Sequence, residues 1–232
     1  MSLREELSTY VSDTFRQRWS TRDGQKVPSP EEVRLGNEGV RLDGTVLYAD
    51  LDGSTNLVDS KRPQFAAEIY KTYLYCTAKI IRSCGGTIVS YDGDRIMAIY
   101  IGSSKNTSAV DTALKINWAV TKLINPALQK QYDTTYKVRQ VVGVDTSELM
   151  AARTGIRGTN DLVWVGRAAN HAAKLTAMSA DYASWITGTV YDSMSESTRL
   201  SKPARTPMWE ERMWTSMGNR RIYRSTWWRP LS

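Results

Sequence analysis

The chain is poor in the residues that build disulfide scaffolds, zinc sites and membrane spans. Its 232 residues include two cysteines and one histidine, too few for a disulfide framework or a cluster of zinc ligands. No apolar run approaches the roughly 20 residues that a membrane helix requires. The charged N-terminal residues also lack the apolar stretch of a signal peptide. These absences predict a cytoplasmic protein without a membrane partner, in which Cys76 and Cys84 stay reduced.

The rest of the composition is that of one sizeable globular domain. Hydrophobic residues make up 41% of the chain and charged residues 24%, with a net charge of +7. That charge is compatible with a polyanionic partner, although excess Lys and Arg often only solvate a surface. Because no evenly spaced basic-aromatic platform accompanies the charge, nucleic acid is not the expected partner.

The N-terminal segment has a four-residue apolar period. The residues that recur are Leu3, Leu7, Val11, Phe15 and Trp19. This spacing predicts an amphipathic helix that packs on the core or on a second copy, or docks a phage-derived or effector component. A stretch rich in Gly and Pro over residues 24–36 indicates a linker. We therefore predict a helix and linker over residues 1–40 and a single domain over residues 41–232.

Two short apolar strands each lead into an acidic turn. The strand at residues 46–49 meets the first turn at Asp50, and the strand at residues 87–91 meets the second turn, which holds Asp94. Carboxylates at such strand ends can share divalent cations, and shared cations are a common means of binding polyphosphates. The pattern therefore indicates nucleotide chemistry.

The order of the predicted elements indicates the fold class. Pro63 begins a long helix, Asp92-Gly93 suits a two-residue hairpin turn, and Pro126 is expected to stop the second helix. Helices are predicted over 63–84, 107–124 and 166–178, and strands near 46–49, 87–91, 95–101, 137–144, 162–165 and 218–223. This is an α/β (α+β) chain with a ferredoxin-like βαββαβ unit, an N-terminal helix and a C-terminal β extension.

Three segments in this order resemble the catalytic domain of class III nucleotidyl cyclases. They are residues 50–55, 91–97 and 165–175. The resemblance implies that Asp50 and Asp94 bridge two divalent cations, Mn²⁺ or Mg²⁺, and that the backbone carbonyl of Leu51 is a further ligand. Asp52 and Asp92 are expected only to form turns.

The third segment carries the groups that the family uses on ribose and phosphate. Asn170 and Lys174 are four residues apart and so lie on one helical face. By resemblance, Asn170 orients the ribose and Lys174 stands where an arginine usually stabilises the α-phosphate. Lysine lacks the planar fork of arginine, so an uninvolved surface lysine is the alternative. The resemblance also implies a homodimer with active sites at the interface, and His171 is expected to be structural.

Four residues bear on which base is bound. The family's purine enzymes select the base at the positions of Ser90 and Val163, and neither residue matches the ATP or GTP pattern. Tyr48 lies on the strand face of Asp50 and would shorten the base pocket, while Arg95 can donate to ring carbonyls. This combination resembles the pyrimidine cyclases of the Pycsar bacterial anti-phage systems. It implies conversion of UTP to cyclic UMP, which a separate effector protein reads.

Several alternatives stay open at this point. Tyr48 can be a core residue and Arg95 a surface residue. CTP or ATP can be the substrate, and the domain can bind a nucleotide without turning it over. A basic nucleic-acid-binding protein is a further alternative. Arg220 or Arg221 can reach the triphosphate or simply end a solvated strand.

Overall fold

The computed structural model describes residues 1–231 and confirms a mixed α/β fold. The helices are α1 (Leu3–Arg16), α2 (Ser54–Ser60), α3 (Pro63–Ser83), α4 (Lys105–Ala119), α5 (Asn125–Tyr132), α6 (Arg167–Leu175), α7 (Gly188–Ser193) and α8 (Glu196–Arg199). The strands are β1 (Ser20–Asp23), β2 (Glu38–Leu51), β3 (Thr87–Asp92), β4 (Arg95–Tyr100), β5 (Gln140–Ile156), β6 (Thr159–Val165), β7 (Ser184–Thr187), β8 (Glu210–Trp214) and β9 (Arg220–Ser225).

The chain divides into two compact units. The smaller unit comprises Met1–Asp43 and Glu148–Gly166, and the larger comprises Gly44–Ser147 and the chain from Arg167 onward. The long strands β2 and β5 each contribute residues to both units. The boundary at residue 40, between a helix-and-linker segment and a catalytic domain, stays a prediction.

The larger unit contains the ferredoxin-like arrangement. Its strands are ordered β3-β4-β2-β5-β7-β9-β8. The first four are the strands of the βαββαβ unit, with α3 between β2 and β3 and α4 between β4 and β5. Strands β7, β9 and β8 form the predicted C-terminal β extension. β5 pairs with β7 in parallel, and β7 pairs with β9 antiparallel.

Alternation along β2 separates the core of the larger unit from its functional face. Leu47, Ala49 and Leu51 belong to the same buried cluster as residues of α3 and α4. The intervening residues Tyr48 and Asp50 therefore point to the opposite face, because successive strand side chains alternate. Helix α3 begins at Pro63 and ends before a left-handed glycine, as the sequence predicts.

The helical segment after β4 runs past Pro126, so the prediction of an end there is wrong. Helix α4 ends at Ala119, a π-helical stretch occupies Val120–Ile124, and α5 then starts at Asn125. Pro126 falls in the first turn of α5. The backbone stays helical from Ile124 to Asn125, and the N–H of Asn125 bonds to the carbonyl oxygen of Val120. The wider π-helical turn before Pro126 thus accommodates a residue that has no N–H of its own. Strand β5 is also longer than the predicted residues 137–144.

The smaller unit has two strand pairs and a core cluster of its own. β1 pairs in parallel with Glu38–Arg41 of β2, and β5 pairs antiparallel with β6. Its buried cluster consists of Val33, Val40, Leu42 and Ala151. The stretch at residues 24–36, predicted as a linker, thus places one fully buried residue, Val33, in this core.

Helix α1 forms as predicted, with its apolar stripe in solvent. Ser2 and Glu5 make a capping box at its start. Leu3, Leu7, Val11 and Phe15 are each more than half exposed, and the helix has no buried residue. The predicted packing of this stripe on the core is therefore wrong, while its packing on another copy and its docking of another component stay predictions. Over residues 1–231, every helix is too short or too polar to span a bilayer.

Helix α6 lies directly on β5 at Gly143. A methyl group at position 143 would come 2.2 Å from the carbonyl oxygen of Ala172 and 2.8 Å from Cβ of Leu175. Since Asn170 and Lys174 are on α6, this close approach fixes the helix that carries them.

We expect Gly143→Ala to lower the free energy of unfolding by about 3 kcal/mol, the upper end for overpacking. Urea denaturation measures this. Gly218→Ala is the control, because Gly218 has φ 75 with open space around it. It should cost only about 1 kcal/mol of backbone strain. A Gly143→Ala protein as stable as the wild type would contradict the close packing of α6.

Candidate active site

The two predicted metal aspartates lie at adjoining strand ends. β2 and β4 are antiparallel, with Ala49 opposite Ile96. The next residues along the two strands, Asp50 and Arg95, therefore meet at the edge of the paired region, and Asp94 directly precedes Arg95. The register thus places both carboxylates at one end of the β2–β4 pair, as the sequence predicts.

The hairpin turn that holds Asp94 differs by one residue from the prediction. Asp92 pairs with Arg95, so the two loop residues are Gly93 and Asp94 rather than Asp92 and Gly93. Gly93 takes a left-handed conformation with φ 60, which favours glycine. Asp94 is therefore the second loop residue of the turn, and it is half-buried.

The other acidic turn residue, Asp52, makes a longer-range contact than predicted. Its Oδ2 lies 3.4 Å from Nε of Arg139. Arg139 Nη2 also lies 3.0 Å from Oδ1 of Asp181. Asp52 thus belongs to an ion-pair network with Arg139 and Asp181, which lie outside its own turn.

Arg95 binds Asp50 directly. Its Nε and Nη2 donate to Oδ2 of Asp50 at 3.1 and 2.9 Å, and Thr176 Oγ1 lies 3.4 Å from the same oxygen. Burial raises the pKa of Asp50, whereas the hydrogen bonds and charge of Arg95 lower it and the charge of Asp94 raises it. The sequence predicted Arg95 as a base-binding residue and did not predict this ion pair.

One carboxylate oxygen at these strand ends has no hydrogen-bond donor. Oδ2 of Asp94 is buried and has no hydrogen-bond partner within residues 1–231. A buried carboxylate oxygen without a donor is costly unless a cation satisfies it. Over the same residues, no three His, Cys, Asp or Glu side chains converge. Asp50 and Asp94 therefore stay predicted ligands, and Leu51, whose carbonyl is the third predicted ligand, directly follows Asp50 at the end of β2.

A buried tyrosine, Tyr73, lies near enough to Asp50 and Asp94 for their charges to affect its pKa. Tyr73 of α3 is fully buried, and its hydroxyl makes no hydrogen bond within residues 1–231. Burial is the main cause that raises the pKa of Tyr73, and the charges of Asp50 and Asp94 raise it further. The sequence showed Tyr73 only as part of the apolar face of α3, so its position near the site was missed.

The predicted base-binding residues of the larger unit lie side by side on one face of the sheet. Tyr48 and Ser90 each pair with Met97, from β2 and β3 on either side of β4. Residues directly opposite in a sheet point to the same face, which is also the face of Arg95 and Asp50. Burial raises the pKa of Tyr48, and Arg95 lowers it. Val163 lies in the smaller unit, on β6, where it pairs with Ala152.

Asn170 and Lys174 are exposed on α6. Lys174 Nζ lies 3.5 Å from Sδ of Met217. Within residues 1–231, neither side chain makes a hydrogen bond or ion pair with Asp50 or Asp94. Their action in the site of another copy therefore stays a prediction.

The comparisons with known proteins agree on one family. Residues 42–211 match the family model described as the adenylate and guanylate cyclase catalytic domain. The chain is 48% identical to a uridylate cyclase from Xanthomonas perforans over 99% of both chains. It is also 48% identical to a uridylate cyclase from Burkholderia cepacia over 98% of both.

Solved structures show the same fold. The guanylyl cyclase Cya2 superposes with a TM-score of 0.69 at 18% identity, covering 81% of this chain and 93% of Cya2. The adenylyl cyclase CyaB from P. aeruginosa superposes with a TM-score of 0.67 at 21% identity, covering 81% and 95%. At these identities the likeness concerns the fold alone.

Proposed function

Because the chain belongs to the family of adenylate and guanylate cyclase catalytic domains, we propose that it converts UTP to 3′,5′-cyclic UMP and pyrophosphate. The observation that carries this proposal is the grouping of Tyr48, Arg95 and Asp50 on one face of the sheet. The two relatives named uridylate cyclase, which align over nearly the whole chain, support the same substrate.

The proposed reaction joins the ribose 3′ oxygen to the α-phosphorus. The bond from the α-phosphorus to the bridging oxygen breaks, and pyrophosphate leaves. Asp50, Asp94 and the carbonyl of Leu51 would hold two divalent cations, Mg²⁺ or Mn²⁺, because all three offer oxygen ligands. When bound, such ions acidify the attacking hydroxyl and neutralise the triphosphate.

Arg95 suits recognition of uracil. Its guanidinium carries five N–H donors, and the bonds from Nε and Nη2 to Asp50 leave the remaining donors available. Uracil presents two carbonyl acceptors, whereas the corresponding edge of adenine presents an amino donor. The half-buried ring of Tyr48 on the same face would limit the pocket to the smaller pyrimidine ring.

Asn170 and Lys174 would act on the ribose and the α-phosphate. Their exposure on α6, without contact to Asp50 or Asp94, supports a homodimer in which they complete the site of the other copy. The resemblance seen in the sequence further supports a signalling role in bacterial anti-phage defence. A separate cytoplasmic effector protein would read the cyclic UMP.

The test is a turnover assay with each of the four ribonucleoside triphosphates and Mn²⁺, with products identified by mass. We expect UTP to exceed ATP and GTP in kcat/KM by about 100-fold or more, because a site built to hydrogen-bond one base rejects another strongly. Faster turnover of a purine would contradict the proposal. Binding of UTP without any cyclic product would indicate a nucleotide-binding domain instead.

The alternative substrate is CTP. Cytosine keeps one carbonyl and a ring-nitrogen acceptor, both of which can accept from Arg95. The same assay separates the two pyrimidines, and a higher kcat/KM for CTP would reassign the product as cyclic CMP.

A further inference from the structure

The buried tyrosine of α3 carries a polar group that the fold leaves without a partner. The hydroxyl of Tyr73 makes no hydrogen bond within residues 1–231, whereas the equally buried Tyr100 donates to Oγ1 of Thr112 at 2.8 Å. A buried hydroxyl without a partner lowers stability, because it loses its hydrogen bonds to water and gains none. A phenylalanine would fill the same space without this cost, so the hydroxyl of Tyr73 needs a functional explanation.

The position of Tyr73 along α3 places it near the start of β4. Helix α3 packs along β3 and β4, and its last turn lies beside the end of β4, because a methyl group at Gly86 would meet both Ile81 and Tyr100. Tyr73 lies about 12 Å before Ile81 along the helix axis. The strand from Tyr100 back to Ile96 covers a similar length, about 13 Å. Tyr73 is therefore level with Ile96, with which it shares a buried cluster.

The direction of a helical side chain brings the hydroxyl further toward the carboxylates. Side chains on a helix lean toward its N-terminus, which for α3 is the direction of Asp94. Burial is the main cause that raises the pKa of Tyr73, and the charge of Asp50 raises it next. The nearby Thr77 side chain lowers this pKa, and the charge of Asp94 raises it. The hydroxyl therefore lies close to the strand ends that hold the two aspartates.

Asp94 is the carboxylate that lacks a donor. Oδ2 of Asp50 accepts from Nε and Nη2 of Arg95 at 3.1 and 2.9 Å, and Thr176 Oγ1 lies 3.4 Å from the same oxygen. Oδ2 of Asp94 is buried and accepts from no group in the described part of the chain, residues 1–231. A buried donor and a buried acceptor, both without partners, thus lie near the same strand end.

We infer that Tyr73 is a positioning residue for the proposed ion site, with its hydroxyl donating a hydrogen bond to Oδ2 of Asp94 when a cation is bound. The inference rests on the proposed function for the role of Asp94 as an ion ligand. A carboxylate oxygen has two lone pairs, so Oδ2 can accept from Tyr73 and also bind a cation. Hydrogen bonds of this kind hold a ligand in the orientation that the ion requires.

Tyr73→Phe tests this role because it removes the hydroxyl and keeps the ring. We expect Mn²⁺ binding to weaken by about 10-fold, measured by titrating the folded protein with Mn²⁺ alone and following the free ion by electron paramagnetic resonance. Tyr100→Phe is the matched control, since Tyr100 is as buried and lies at the opposite end of β4 from Asp94. It should change the affinity by less than about twofold.

The thermal stability of the metal-free protein gives a second readout. Tyr73→Phe removes a buried hydroxyl that has no partner, so we expect Tm to rise by about 3 °C. Tyr100→Phe breaks an existing hydrogen bond to Thr112, so Tm should fall by about 3 °C. A rise in Tm together with a loss of Mn²⁺ affinity distinguishes a hydroxyl that serves ion binding from one that only supports the fold.

Four results would overturn the inference. They are wild-type Mn²⁺ affinity in Tyr73→Phe, a fall in Tm in the same variant, an equal loss of affinity in Tyr100→Phe, and no Mn²⁺ binding by the wild type. Thr77→Val removes the other hydroxyl near Tyr73 and keeps nearly the same shape. A loss of affinity in Thr77→Val as large as that in Tyr73→Phe would also contradict the inference, since Tyr73 would then act through Thr77.

The role of Tyr73 and the proposed function can fail separately. If the protein makes no cyclic UMP but Tyr73→Phe still weakens Mn²⁺ binding, the function is wrong and the positioning role stands. If the protein makes cyclic UMP while Tyr73→Phe keeps both the wild-type Mn²⁺ affinity and the wild-type Mn²⁺ dependence of turnover, the function stands and the positioning role is wrong.

Discussion

Mixing Asp50→Ala chains with Asn170→Ala chains should restore cyclase activity that neither variant has alone. Each variant by itself is expected to lose activity by about 1,000-fold, because Asp50→Ala removes a ligand of the proposed ions and Asn170→Ala removes the group that would orient the ribose. If one copy provides the aspartates and the other provides Asn170 and Lys174, every mixed dimer has one intact site. Random pairing of equal amounts then gives about a quarter of wild-type activity, since half the dimers are mixed and each has one working site.

The matched control mixes Asp50→Ala with Asp94→Ala. Both residues belong to the same half of the proposed site, so every dimer of these chains lacks a complete site and activity should stay low. Subunit exchange is followed with two tags of different mass. Demonstrated exchange without regained activity in the first mixture would show that each chain completes its own site.

Arg95→Gln should remove the preference for UTP. We expect kcat/KM for UTP to fall by about 100-fold or more relative to that for ATP, because the donors to the uracil carbonyls are lost. Competition assays that contain both triphosphates give this ratio directly. The prediction separates base recognition from a general loss of activity.

Arg95 also binds Asp50, so a second substitution is needed to interpret the result. Arg95→Lys keeps a positive charge beside Asp50 but lacks the planar fork. It should retain more activity than Arg95→Gln while losing selectivity to a similar extent. Arg139→Gln is the control, because Arg139 pairs with the neighbouring Asp52 and not with Asp50. Equal losses for UTP and ATP in Arg95→Gln would show that Arg95 acts only by holding Asp50.

Local signals in the sequence were enough for most of the framework of the fold. Pro63 and Gly85 mark the ends of α3, and short apolar segments mark the strands that lead to Asp50 and Asp94. These features depend on near neighbours in the chain, which a sequence displays directly. Local signals did not predict the end of the second helical segment, because a π-helical stretch connects α4 to α5 and the helical chain continues past Pro126.

Contacts between distant residues account for what the sequence did not reveal. Asp145 lies in an apolar strand, and the sequence gives no sign that it has a special role. Its contacts with Arg167, His171 and Thr187 form only in the folded chain. The ion pair between Arg95 and Asp50 depends in the same way on the register of β2 and β4. Side-chain direction across a sheet is fixed by pairing, which spacing alone does not specify.

The match to the cyclase family stops at residue 211, yet the sheet does not. β9 lies between β7 and β8, and its Tyr223 stacks on Tyr191 with ring centroids 3.8 Å apart. A recombinant fragment cut at the family limit would leave the backbone of β7 as a bare edge, and bare edges pair with other chains. Residues 212–231 therefore protect the edge of the sheet from pairing with other chains, and they belong in any preparation meant for crystallisation.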